Sequence, residues 1–363
     1  MSHEITGTTT TLSPASVHSA VTCCSPASRP SAGSRHNQLL FPAPCPAPID
    51  AIVIPLSTAD APNPRLLGGA ISIGNFDGVH RGHALLIKRL CQLAERIGGP
   101  AVAVTFDPPP AAILRPGQVP PPLTTIARRE ALLRRCGAAG VVVIRTTADL
   151  LKQSPETFFR SVVQGSLQAR GMVEGPNFFF GRDRAGNPHL LQRMCSESEI
   201  ECEIVEPTTA DNRMVSSTRI RELLRCGDVQ AANQLLTAPY QLQGTVVRGA
   251  GRGRTLGFPT ANLAEIPTLI PAAGVYACRA LIAGQPHAAA VHIGPNPTFD
   301  DHSAKVEVHL LDFSQNLYGE PIDLEFHCQV REVRQFSGAA ALQAQLSDDL
   351  QQVRRCLAEL PDC

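Results

Sequence analysis

The sequence predicts two folded domains of different class. An open α/β domain with a mostly parallel sheet spans residues 51–237, and a small antiparallel β-barrel with a C-terminal helix spans 238–363. Three observations carry this reading. Short apolar runs alternate with amphipathic stretches as far as Leu236, the pattern of helices crossing between parallel strands. Beyond Pro239, strand-like runs follow one another through Gly, Pro and Asn turns with no helix between them, as in a small barrel. The chain has 363 residues, 43% hydrophobic and 18% charged, enough for two cores.

The elements follow in order. Residues 1–50 are rich in Ser, Thr, Pro and Ala without an apolar face, which predicts a disordered tail. Ala70–Ile73 reads as a strand, and Ala84–Ile97 as an amphipathic helix after a glycine turn. Ala101–Phe106, Val141–Ile144 and Gly171–Glu174 read as further strands. Thr124 is placed to cap a helix running to Cys136, and Ser154-Pro155-Glu156 is a helix start with Pro at its first position. A helix after Ser216-Ser217 ends near Gly227. Tyr240–Val247, Gly274–Ile282, Ala288–Ile293, Lys305–Phe313 and Ile322–Glu332 read as the barrel strands, and Gly338–Leu360 as the closing helix.

Composition narrows the function. Net charge is zero, pI is about 7.1 and Trp is absent, which argues against nucleic acid or a membrane surface as partner. No run of about 18 apolar residues and no secretory leader is visible, so the expected setting is cytoplasmic. The 12 cysteines show no Cys-x-x-Cys and no paired metal spacing, and read as idle thiols in a reducing compartment. Self-association is left open.

The most informative segment is Gly74-Asn75-Phe76-Asp77-Gly78-Val79-His80-Arg81-Gly82-His83, between a strand and a helix. Unpaired N–H groups at a helix start attract phosphate. Two imidazoles there add donors that can follow charge building on a phosphate oxygen. Ser216-Ser217-Thr218-Arg219-Ile220-Arg221 supplies hydroxyls and arginines suited to pyrophosphate. Glu174-Gly175-Pro176-Asn177-Phe178-Phe179-Phe180-Gly181 forms an apolar loop with Asn177 as its best polar contact, while Phe179 reads equally well as cover for the sheet edge.

A second glycine-rich stretch runs from Gly244 through Gly249 and Gly251-Arg252-Gly253-Arg254 to Gly257-Phe258-Pro259-Thr260-Ala261-Asn262. It has neither the third glycine of a dinucleotide fingerprint nor the Gly-Lys pair of a Walker loop. In Val306-Glu307-Val308-His309, alternation puts Glu307 and His309 on one face.

Together these segments resemble the prokaryotic bifunctional riboflavin kinase/FAD synthetase (FMN adenylyltransferase) family, over roughly Ala51 to Leu360. The resemblance implies a Rossmann-like nucleotidyltransferase domain followed by a riboflavin-kinase barrel. It implies ATP as co-substrate in both, Mg²⁺ as cofactor, riboflavin and FMN as substrates, and FMN and FAD as products. In the first domain it assigns His80 and His83 to catalysis, with Gly74, Asn75, Asp77, Gly78, Asn177, Ser217, Thr218 and Arg221 binding substrate. In the second it assigns Glu307 as general base and Thr260 to Mg²⁺, with Asn262 beside it as a further ligand. Gly249, Gly251, Arg254, Gly257, Phe258 and Pro259 complete the nucleotide loop. His309 reads as structural. Two positions depart from the family pattern: Pro109 stands where a histidine is usual, and His292 where an asparagine is. A kinase with a decayed adenylyltransferase half and a flavin-binding regulator without turnover are the alternatives.

Overall fold

The computed structural model describes residues 63–249, 253, 257–296 and 301–360. The expected tail lies outside the described residues, as do Gly251 and Arg254. Everything described falls within one compact unit, Ala43–Cys363.

The first half builds a five-stranded sheet. Its elements are β1 (Ala70–Ile73), α1 (Arg81–Ile97), β2 (Ala101–Asp107), α2 (Pro110–Leu114), α3 (Ile126–Arg135), β3 (Gly140–Arg145), α4 (Ala148–Lys152), α5 (Pro155–Phe158), β4 (Gly171–Glu174), α6 (Pro188–Glu197) and β5 (Glu201–Ile204). A π-helical stretch, Phe159–Ser166, continues α5. All five strands are parallel, in the order β3-β2-β1-β4-β5. Alternation along the strands feeds two cores. Ile71, Ile73, Val102, Val104 and Met172 pack with Phe158, Phe159 and Leu191 on one face, while Ala70, Ala103 and Val173 meet α1 on the other. From α1 come Ile87, Leu90, Leu93 and Ala94, the three-and-four spacing of a helix lying on a sheet. Each such side chain, once buried, contributes about 1.5–3 kcal/mol.

Local chemistry adjusts the expected boundaries. The helix α1 begins at Arg81 rather than Ala84 because His80 caps it. Thr125, not Thr124, caps α3; the Thr124 hydroxyl is already engaged by the Gly78 N–H at 3.1 Å and by Asp77 at 3.2 Å. Ser154 caps α5 with Pro155 at its first position, as read from the sequence.

A two-strand ribbon, β6 (Thr209–Ala210) with β7 (Arg213–Met214), precedes α7 (Ser217–Arg225) and α8 (Val229–Leu235). The barrel follows: β8 (Tyr240–Val247), β9 (Ala261–Ala264), β10 (Gly274–Ile282), β11 (Gln285–Asn296), β12 (Asp301–Leu310) and β13 (Pro321–Arg331). Every pairing is antiparallel, closed as β10-β11-β12-β9-β8-β13. The β10–β11 hairpin turns on Ala283 and Gly284, both with positive φ, the conformation that matches strand twist. Strand β12 ends at Leu310 rather than Phe313, and Asp312 just beyond has φ 56°. The last helix, α9 (Ala339–Ala358), packs outside the barrel and is fastened by Arg331, whose guanidinium donates to the buried Asp349 carboxylate at 2.8–3.0 Å. A disulfide also joins Cys328 on β13 to Cys356 on α9. That pair corrects the expectation of idle thiols. Among the described residues, Cys136, Cys195, Cys202, Cys226 and Cys278 form no disulfide.

Candidate active sites

The order β3-β2-β1-β4-β5 reverses direction at β1, so the crevice opens beyond the carboxyl ends of β1 and β4. The loops that leave those two strands carry the histidine pair and Asn177. They are tied together by Glu174, whose carboxyl oxygen accepts the Ile73 N–H at 2.6 Å. Glu174 is only 2% exposed, and burial, opposed by the Ile73 N–H, pushes its carboxyl well above the usual range.

His80 and His83 stack, with ring centroids 3.6 Å apart and planes 17° from parallel. The His83 N–H donates to His80 Nδ1 at 3.3 Å, which places the proton of neutral His80 on Nε2. Burial, opposed by Asp77, lowers the His80 pKa to about 4. Burial first, then His80 and Arg129, lower that of His83 well below 6.5. Both rings are therefore neutral donors at pH 7, and an incoming polyphosphate would draw them toward protonation. Gly82 makes the stack fit: a Cβ there would lie 3.1 Å from His80 Cε1 and 3.2 Å from Nδ1.

Asp77 has an interior role. Its carboxylate accepts the Leu123 N–H at 3.0 Å, the Thr124 N–H at 3.1 Å, Arg129 at 3.2 Å and the Arg221 guanidinium. Arg221 also donates to the Pro121 carbonyl at 3.2 Å. The Ser217 hydroxyl donates to the Asp77 carbonyl at 2.8 Å, and Ser216 caps α7. The loop and α7 are thus locked together, with Thr218 exposed at the helix start. Gly74 is half-buried and Asn75 exposed, its carbonyl accepting the Thr105 hydroxyl at 3.1 Å. Asn177 is exposed, 3.8 Å from Met214 Sδ. Phe180 is buried, whereas Phe179 is 43% exposed with Arg184 over its ring at 4.5 Å. Pro109 caps the short α2 without a side-chain bond.

The second site lies on the outer wall of the barrel. Glu307 on β12 pairs with Asn262 on β9 to one side and His292 on β11 to the other, so the three share one face. His309, two residues along, holds the Pro259 carbonyl through Nδ1 at 2.8 Å and meets the Phe258 ring edge-on at 5.9 Å. It anchors the Gly257–Thr260 turn to the strand that carries Glu307. A Cβ on Gly249 would lie 1.9 Å from Asn262 Nδ2, so a side chain there would displace the Asn262 amide. A Cβ on Gly253 would lie 3.1 Å from Thr260 Oγ1. A cavity of about 520 Å³ adjoins this wall, with Arg248, Asn262, Glu265 and Lys305 among its polar lining.

Known proteins share both halves of this arrangement. Residues 64–219 match the FAD synthetase family and residues 236–357 the riboflavin kinase family. A Listeria monocytogenes bifunctional riboflavin kinase/FMN adenylyltransferase is 36% identical over 296 residues, covering 80% of this chain and 93% of its own length. The Escherichia coli (strain K12) protein of that description is 31% identical over 283 residues, covering 78% and 90%. The chain belongs to the bifunctional riboflavin kinase/FMN adenylyltransferase family. A Streptococcus pneumoniae crystal structure, described as a macrolide-efflux protein, superposes with a TM-score of 0.76 at 32% identity, over 84% of this chain and 99% of that one. Among the described residues, no helix here is long and apolar enough to cross a membrane.

Sequence reading missed three residues beside the first candidate site. Arg129 gave no local signal, because its partner Asp77 is 52 positions away. Glu174 was legible as the end of a strand and the start of the apolar loop, without its contact to Ile73. Thr208, in the loop after β5, is half-buried with Oγ1 unpartnered, its side chain about as close to Gly82 as an ordinary packing contact.

Proposed function

We infer that this chain makes FMN and then FAD. In the barrel, ATP phosphorylates the ribityl 5′-hydroxyl of riboflavin, giving FMN and ADP. In the α/β half, a phosphate oxygen of FMN attacks the α-phosphorus of a second ATP, giving FAD and pyrophosphate. The observation that carries this reading is the pairing of two family matches, over residues 64–219 and 236–357, with two separate polar sites, one on each half. We place the boundary between the domains at 237/238, with the first beginning near residue 51. ATP as donor in both steps supports the cytoplasmic setting.

The residue roles follow from placement. In adenylyl transfer, the neutral His80 and His83 donate to phosphate oxygens as charge shifts toward the leaving pyrophosphate. Free N–H groups at the start of α7, with the exposed Thr218 hydroxyl, take the β- and γ-phosphates. Ser217, Asp77 and Arg221 act by holding the loop against α7. Gly74, Asn75 and Gly78 bring backbone close to the nucleotide, and Asn177 contacts the flavin. The buried unpartnered His83 Nδ1 and Thr208 Oγ1 support a polar ligand here. In the kinase, Glu307 accepts the hydroxyl proton as that oxygen bonds to the γ-phosphorus and the bond to ADP breaks. Gly249, Gly257, Phe258 and Pro259 shape the phosphate loop, to which we also assign Gly251 and Arg254.

Mg²⁺ fits the donor set. Thr260 and Asn262 offer neutral oxygens, the described residues hold no cluster of three or more His, Cys, Asp or Glu, and glycines keep space around both side chains. Such a site suits an ion shared with nucleotide phosphates. When bound, Mg²⁺ would neutralise phosphate charge; Thr260 and Asn262 would hold it.

Product analysis by chromatography tests the assignment. With riboflavin, ATP and Mg²⁺, the purified protein forms FMN and FAD. His83→Ala lowers FAD formation about 10²–10³-fold, the cost of a lost oxyanion donor, and leaves FMN formation intact. Glu307→Gln blocks FMN formation and leaves conversion of supplied FMN to FAD. Loss of both activities in either folded variant overturns the two-site reading.

A further inference from the structure

The reaction above leaves one polar neighbour of Glu307 on the barrel wall without a role. His292 lies opposite Glu307 across the β11–β12 ladder, on the same outer face. Its Nδ1 stands 4.0 Å from Glu307 Oε2. Both side chains are about one-fifth exposed. Nδ1 itself is buried and makes no hydrogen bond. Leaving a buried nitrogen unpartnered is costly, so its orientation toward a carboxylate calls for a reason.

We propose that His292 is a positioning residue for riboflavin phosphorylation: as the neutral Nδ1–H tautomer it donates to Glu307 Oε2 and aims the other carboxylate oxygen at the ribityl hydroxyl. The inference rests on Glu307 as general base. The ladder supplies the geometry. Asn262, Glu307, His292 and Val275 lie side by side on β9, β12, β11 and β10, and Arg331 of β13 comes next beyond Val275. The register places Asn262 beside Glu307 on one neighbouring strand and His292 beside it on the other. A closure of about 1 Å turns 4.0 Å into a hydrogen bond, and catalytic contacts commonly tighten by such an amount when substrate binds.

The environment of His292 suits a neutral donor. Burial, then the Arg331 charge, lowers its pKa to about 4. Arg331 is itself committed to Asp349 of α9, at 2.8 Å, and so does not compete for Glu307. A charged imidazole would lock the carboxylate in an ion pair and weaken it as a base. A neutral one orients it and leaves its electron pair free. An asparagine side chain also carries an N–H donor and no charge, so His292→Asn is the conservative variant at this position.

The test is a double-mutant cycle on the full chain, following FMN formation at saturating ATP and Mg²⁺. His292→Ala is expected to lower kcat for riboflavin about tenfold with little change in KM for ATP. His292→Asn is expected to restore most of it. In the Glu307→Gln background, His292→Ala is expected to change the residual rate less than twofold, because the group it orients is gone. Adenylylation of supplied FMN on the same samples reports that each variant is folded. An unchanged kcat in His292→Ala, or an equal loss in both backgrounds, overturns the positioning role. Full activity in Glu307→Gln overturns instead the general-base reading on which it rests. A rise in KM without loss of kcat makes His292 a binding residue and also refutes the proposal.

Discussion

Replacing Asp77 with Asn tests the claim that this carboxylate is structural. The substitution preserves shape and removes one negative charge from between two arginines. The Arg129 side chain is 6% exposed and that of Arg221 13%, so neither can turn fully to water. Burial already lowers the Arg129 pKa, and Asp77 is the largest of the opposing influences. Removing the partner of a buried ion pair costs about 3–5 kcal/mol, since the remaining charge is left uncompensated. The amide also turns an NH₂ toward at least one of the donors Leu123 N–H, Thr124 N–H, Arg129 and Arg221, which adds to the loss. For a unit of this size, 1 kcal/mol shifts Tm by about 2–4 °C, so the expected fall is on the order of 10 °C. Thermal unfolding followed by circular dichroism reads it, and calorimetric ATP titration on the same variant reads binding. A Tm within 2 °C of the parent together with lost ATP binding would falsify the structural role and make Asp77 a ligand.

Two further outcomes follow from the same loop and from the buried histidines. Gly82→Ala should slow FMN adenylylation about tenfold with a small change in Tm, because the new methyl pushes the His80 ring from its seat and a small displacement of a catalytic group is costly; unchanged FAD formation would refute the close fit. His80, His292 and His327 each have a pKa near 4 in the fold against 6.5 unfolded, chiefly through burial. Between those values the unfolded chain binds protons that the native state does not. Stability is therefore retained above pH 6.5 and lost as pH falls toward 4, at up to about 1.4 kcal/mol per pH unit for each histidine. Denaturant midpoints from pH 7.5 to 5 measure this, and a flat profile contradicts neutral burial.

How much was readable in the sequence divides along a physical line. Strands β1, β2, β3 and β4 are short runs of apolar residues with clear flanking turns, so composition alone marks them. Strand β5 reads Glu-Cys-Glu-Ile and lies at the sheet edge, where polar residues are tolerated and the apolar signal fades. Strand β9 has four residues, too few for a period to show. The histidine pair and the Gly257–Thr260 turn are local in sequence, so the sequence alone marks them as candidate sites. The contact between Asp77 and Arg221 is not visible there, because it spans 144 positions that only the fold brings together. The same holds for His292: sequence marked it as a departure, and only the ladder register put it beside Glu307.

That register also bears on how the two halves depend on each other. The sequence boundary near residue 237 does not coincide with a break in packing. Ile220 and Leu224 of α7 share a core with Leu123 of the first half and with Leu242, Tyr276 and Phe326 of the barrel. Leu269 N–H donates to the Pro122 carbonyl at 2.9 Å, next to the segment that receives Asp77, and Arg128 of α3 pairs with Glu325 of β13 at 3.3 Å. Thr237 closes the circuit by donating to the Val79 carbonyl at 2.6 Å, one residue before His80. The loop that holds the histidine pair is therefore braced by residues at and beyond the boundary, by Thr237 directly and by Leu269 and Glu325 through the segment 122–128 beside it. Its positive φ at Phe76 and Val79, uncommon for residues with such side chains, is a conformation that persists only when its surroundings determine it. The barrel belongs to those surroundings: besides forming its own site, it helps hold the geometry of the other.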